Sequence, residues 1–349
     1  MTDTTGTPPE KTTQSRWRPI ISLAIKALIS AGLLGWLLYT QIDNMDEIWS
    51  AIGRANLWLL ILAFSLNVAG YLLCSWRWQI LLRAQGFVVP LIELIRAYTI
   101  GIFFNAFLPG LMSGDFMRAY DISDRVPSYT RSFLILFVER LTGMFGLLVL
   151  AALALPLVGR EIIDQTGIHW ILLTVAVLLA AAGLGLMMMR RQRGNGRIWR
   201  LPGLRKIGTI TDNISETARV FGTRMGAVYG CMGISVVFQA NVVLHYYLIA
   251  RALGIELPVL IYFGIIPVSL FVMMIPASVN GIGIREQIFV YLFGAFGVGA
   301  AEAISLAWIA LGMVLLQAVA GGVLFAIRKR RRAISDTAAD PWPETGKSR

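Results

Sequence analysis

The 349-residue chain carries 31 Lys and Arg against 20 Asp and Glu, a net charge of +11, yet only 15% of its residues are charged and 56% are hydrophobic. A mean hydropathy of +0.68 and apolar runs near twenty residues long define an all-α polytopic membrane protein. Continuous rather than alternating apolar runs exclude a β-barrel. Basic residues clustered beside those runs follow the positive-inside rule and argue against nucleic acid as a partner.

Residues 1–19 are polar and read as a disordered cytoplasmic N-terminus without a cleavable signal. Arg16 and Arg18 precede a first span at Ile20–Tyr39, and Asp43, Asp46 and Glu47 follow it. A second span is expected at Leu57–Ser75. Arg77 and Arg83 then return the chain to the inside, with Trp76 and Trp78 at headgroup level. Further spans are expected at Phe133–Leu157, Trp170–Met189, Ala227–Ala250 and Ala303–Ile327.

Charge parity decides the segment between the second and third spans. Arg190 to Lys206 holds seven basic residues and no acid, which puts it in the cytoplasm. That holds only if residues 91–126 enter and leave by the same face, as a re-entrant hairpin. A second broken unit, Ile255–Ile275 plus Ile288–Val298, then enters from outside, and Arg328 to Arg332 close the last span in the cytoplasm. The sum is about six full transmembrane helices plus two oppositely entering hairpins, or eight helices by a looser count. The domain expected at 20–330 has repeat-like halves at 20–189 and 226–328. A basic cytoplasmic linker, 190–225, joins them, and its residues 207–225 read as a short amphipathic helix or plain linker. The tail 331–349 reads as disordered.

The two hairpin tips share a pattern. Pro109 is followed by Gly114 five residues on and Arg118 nine residues on; Pro276 is followed by Gly281 and Arg285 at the same distances. Pro removes a backbone donor and Gly allows close approach, so both mark broken helices. Such elements, entering from opposite faces, build midplane sites in transporters.

Ionisable groups at membrane depth are costly, and so they are candidate site residues. The candidates are Asn105, Pro109, Gly110, Gly114, Asp115 and Arg118 in the first motif, and Asn280, Gly281, Gly283, Arg285 and Glu286 in the second. Glu139 and Arg140 join them from the third span. Adjacent on a helix, they point about 100° apart and need different partners. Glu139 is expected to pair with Arg118 or Arg285, and Arg140 to lie nearer the headgroups; a pair sitting at the membrane edge is the other reading. Two guanidinium groups and two Gly-rich turns suit a lipid phosphate. Asn105 and Asn280 fit either headgroup binding or helix capping.

Arg96 reads as a snorkelling residue. Asn67, Gln239, Asn241 and His245 read as interhelical hydrogen bonders, and Gly143, Gly146, Gly312, Gly321 and Gly322 as close-packing points. Cys74 and Cys231 read as core residues. With His169 and His245 they show no metal-ligand spacing, so neither metal nor cofactor is expected. There is no Walker loop, zinc helix or nucleophile elbow.

Taken together, Arg77-Trp78-x-x-Leu81-Leu82, Phe104-Asn105-x-Phe107-Leu108-Pro109-Gly110-x-x-Ser113-Gly114-Asp115-x-x-Arg118, Glu139-Arg140-Leu141 and Pro276-x-Ser278-x-Asn280-Gly281-x-Gly283-x-Arg285-Glu286 resemble the transmembrane region of the lysylphosphatidylglycerol synthase family. The resemblance covers roughly residues 20–330. It implies a flippase-like, lipid-handling unit; the family's separate synthase domain is not expected in this chain. The leading expectation is a translocase for a phosphate-bearing lipid, phospholipid or polyprenyl-linked, in the cytoplasmic membrane. The alternatives are an intramembrane enzyme acting on a lipid phosphate, with Asp115, Glu286 or Glu139 as base, and a non-transporting partner of a lipid-synthesising enzyme. Oligomeric state is not legible.

Overall fold

The computed structural model describes residues 45–107, 113–126, 129–158, 216–273 and 283–327, with isolated helical positions between 170 and 184. Nine helices are labelled here in chain order: α1 Met45–Arg54, α2 Leu57–Ala84, α3 Leu91–Phe107, α4 Ser113–Asp121, α5 Tyr129–Val158, α6 Met225–Ala252, α7 Val259–Met273, α8 Ile284–Gly294 and α9 Ala300–Ile327. Among the described residues, α2, α5, α6 and α9 contain segments long and apolar enough to cross a membrane. The chain is an all-α polytopic membrane protein. Of the two remaining expected spans, Ile20–Tyr39 lies outside the described residues and Trp170–Met189 lies mostly outside them.

The frame is the antiparallel pair α2 and α6. Asn56 starts α2 by accepting from the amides of Trp58 (3.0 Å) and Leu59 (3.3 Å), a side-chain N-cap. Its own amide donates to the Ala252 carbonyl at the end of α6 (2.9 Å). Lower down, Asn241 donates to the Leu66 carbonyl (2.9 Å), and Arg77 donates to Ser235 Oγ (2.7 Å). At the far end Arg224 reaches the Arg83 carbonyl (3.3 Å). Gly146 of α5 crosses α6 so closely that a Cβ there would lie 2.7 Å from the Ser235 backbone.

Two helical hairpins insert into this frame from opposite ends. The base of α3–α4 lies where α2 ends, with Gln79 donating to the Val89 carbonyl (2.8 Å). Its arms fold back on each other: a Cβ on Gly114 would run into the Gly101 carbonyl and the Asn105 amide. Phe103 and Phe104 pack on Phe325, at the end of α9 that leads into Arg328–Arg332. The second hairpin, α7–α8, has its base beside the end of α6, and Tyr262 of α7 meets Phe293 of α8 with ring centroids 5.5 Å apart. Its core is apolar: Tyr262, Ile265, Phe289, Leu292 and Phe293 are buried with Val243, Ile249, Ala303 and Ala307.

Three departures from the sequence reading have physical causes. The second span does not stop at Ser75 but continues to Ala84, because Arg77 and Trp78 are buried with partners rather than set at the headgroups. Trp76 is exposed, as an interface residue would be. Helix α1 was not anticipated: Ile48 is buried against Ala301 and Ile304, and Trp49 sits 6.1 Å from Trp308. Finally, among the described residues a Cβ on Gly312 would meet nothing within 4 Å, whereas Gly143, Gly146, Gly321 and Gly322 all face close neighbours. The expected linker helix is present at 216–223, tied to α2 by Gln85 donating to the Thr217 carbonyl (3.1 Å).

Candidate functional site: a buried arginine–carboxylate cluster

Arg118 is the centre of the first hairpin. It rises from α4, one turn after the broken segment, and lies between two aromatic faces: Trp78 at 4.4 Å and Tyr98 at 4.1 Å from the guanidinium carbon. Gly101 makes room for its stem, since a Cβ there would sit 3.0 Å from Arg118 Cγ. A stacked guanidinium keeps its edge N–H groups available for anions.

That edge faces carboxylates. Arg118 Nη2 donates to Glu139 Oε2 (2.6 Å) and Nη1 to Asp115 Oδ1 (3.1 Å). Glu139 Oε1 accepts from Arg77 Nη2 (3.1 Å), and Asp115 Oδ2 accepts from Arg140 Nε (2.5 Å). The order is therefore Arg77, Glu139, Arg118, Asp115, Arg140, drawn from α2, α4 and α5. Glu139 is 2% exposed and Asp115 3%, so these ion pairs are buried within the protein. Arg140 is more open, with a third of its side chain exposed, which makes it the outer member.

Of the two arginines expected beside Glu139, Arg118 is the one the structure brings there. The other clasping group is Arg77, which sequence reasoning placed at the membrane surface. Its signal was present: it opens the first motif of the family resemblance. Gly143 supports it, lying about where a Cβ would touch the guanidinium (3.4 Å). Asn105 acts within the hairpin, accepting from the Gly114 amide (2.8 Å) and from Ser113 Oγ (3.4 Å), so it joins the two arms across the break.

In the second hairpin, Gly283 adopts a left-handed φ of +84° and its amide donates to Glu286 Oε2 (2.7 Å). Glu286 thus closes the first turn of α8 while buried, and Arg285 beside it is buried too. Pro109, Gly110, Asn280 and Gly281 lie outside the described residues. Arg96 is exposed, as a snorkelling residue should be, and Cys74 and Cys231 are buried. No group of His, Cys, Asp and Glu among the described residues has the makings of a metal site.

A multi-pass membrane protein with two opposed broken-helix hairpins, one of them locked to the frame by buried arginines, is the class this geometry defines. The chain belongs to the family of the lysylphosphatidylglycerol synthase TM region, whose profile matches residues 23–322. It is similar to a UPF0104 membrane protein of Pyrococcus horikoshii, 24% identical over 310 residues, covering 81% of this chain and 91% of that one. It is also similar to a UPF0104 membrane protein of Archaeoglobus fulgidus, 29% identical over 127 residues, which is 36% of each chain. No solved structure matches.

Proposed function

We propose that the protein is a translocase of the cytoplasmic membrane that moves a phosphate-bearing lipid between leaflets, with both termini cytoplasmic. One observation carries the reading: two buried guanidinium groups, Arg77 and Arg118, converge on the two oxygens of one carboxylate, Glu139. A headgroup phosphate offers the same pair of oxygens to the same forks. It would take the place of Glu139, entering past Arg140 while its acyl or prenyl tails stay in the bilayer. Arg285, at the tip of the opposed hairpin, would receive the phosphate on the other side. The family's name supports lipid handling in general. A lipid-synthesising enzyme is the natural source of cargo and a natural partner.

Liposomes holding the purified protein and headgroup-labelled phospholipids or polyprenyl phosphates test this directly. One lipid class should become accessible from the opposite face. Arg118→Lys, which keeps the charge but loses the fork, should slow the movement at least about tenfold. No movement of any anionic lipid class, with or without a proton or sodium gradient, overturns the proposal.

A further inference from the structure

A second polar system crosses the bundle away from the arginines. His245 Nδ1 lies 2.8 Å from the Ala63 carbonyl, and its Nε2 lies 3.3 Å from Asn67 Nδ2. Asn67 Oδ1 accepts from Gln317 Nε2 (2.8 Å). The direction of every bond in this chain is fixed by its first member. A carbonyl can only accept, so Nδ1 carries the ring proton and Nε2 is the lone pair that Asn67 donates to. Gln317 Oε1 is then left as the outer end. It is buried and has no partner among the described residues. Gln317 is 92% buried, since 8% of it is exposed. A buried amide oxygen without a donor is left with its desolvation uncompensated, so its retention asks for an explanation.

We propose that His245 is a proton-binding site and that the Asn67–Gln317 amides relay its state to α9. A proton taken from water binds the Nε2 lone pair while Nδ1–H keeps its bond to Ala63. Nε2 then donates, and Asn67 must turn its amide so that Oδ1 accepts. Asn67 Nδ2 now faces Gln317, which turns in the same way. The outer position changes from an acceptor, Oε1, to a donor, Nε2. Gln317 stands one helical turn before Gly321, on the same face of α9. A Cβ on Gly321 would run into the Thr99 carbonyl of α3, so the relay ends beside the first hairpin.

The charged and titratable surroundings leave the amides to stabilise the imidazolium. On α6, Tyr246 has its ring 5.2 Å from His245. On α2, Tyr71 is one turn from Asn67, and Arg77 lies about 15 Å farther along, already paired with Glu139. On α3, Tyr98 meets Tyr71 at a tilt, with ring centroids 5.5 Å apart, and Arg96 is exposed. On α5, Glu139 and Arg140 belong to the ion-pair cluster. On α8, Arg285 and Glu286 precede Phe289, which packs on Tyr246 at 5.6 Å. Helix α9 carries no charge from Ala303 to Ile327, and α7 none in its length.

The test uses nitrogen-15 imidazole spectra of the full chain in lipid nanodiscs, without any added lipid cargo, so it stands or falls apart from the translocase reading. The sequence has two histidines, and His169→Gln assigns the signal of the other. The neutral ring should show a protonated Nδ1 and a bare Nε2, and Nε2 should gain a proton between about pH 8 and about pH 4. Gln317→Glu should raise the midpoint by about one unit, because a carboxylate favours the reversed chain; Asn67→Leu should lower it by about one unit. A ring that stays neutral throughout overturns the site. A ring that titrates identically in wild type and both variants overturns the relay.

Discussion

The two hairpins share a sequence pattern but are held in opposite ways. The first, α3–α4, is fixed by charge: Arg118 sits on Glu139 and Asp115, with Arg77 and Arg140 closing the chain. The second, α7–α8, is fixed by rings and aliphatics, with Tyr262, Phe289 and Phe293 at its centre. An anion can compete for guanidinium groups, but nothing of that kind competes for a packed aromatic core. On the proposed function, a headgroup phosphate at Arg118 would compete with the ion pairs that hold the first hairpin.

Four substitutions sharpen or break this contrast. Glu139→Gln removes one partner from two buried arginines and should cost about 3–5 kcal/mol, read as a lower unfolding midpoint in detergent. An unchanged midpoint would mean that the cluster does not hold the hairpin. Phe293→Ala opens a cavity in the second hairpin and should cost about 3 kcal/mol, with α3–α4 amide exchange unaffected. Gly114→Val forces the arms of the first hairpin apart and should cost about 2 kcal/mol, seen as faster hydrogen exchange confined to α4. Asn241→Leu removes a bond that belongs to neither hairpin and should cost about 0.6 kcal/mol. A loss as large as that of Glu139→Gln would shift the weight from the hairpins to the α2–α6 frame.

Both hairpins were legible because each interrupts membrane-grade sequence with Pro, Gly and polar residues, and charge parity then fixed their opposed entry. The Arg118–Glu139 pair was legible as one of two options, since a buried carboxylate must find a cation. Arg77 and Trp78 were not. An Arg-Trp pair ending an apolar run looks like a membrane boundary, and only Glu139, 62 residues later, shows otherwise. Helix α1 escaped because a ten-residue segment carries few apolar positions, although Met45, Ile48, Trp49 and Ile52 have helical spacing.

Helix α9 touches α1 and α8 near its start and α3 near its end. At 28 residues it is a rod about 42 Å long. Its bond to Asn67 falls about two thirds of the way along, at Gln317. A rod pivoted there would behave as an uneven seesaw. A tilt of about 5° about Gln317 would move its start by about 2 Å and its end by about 1 Å in the opposite direction, so slack given to one hairpin would be taken from the other.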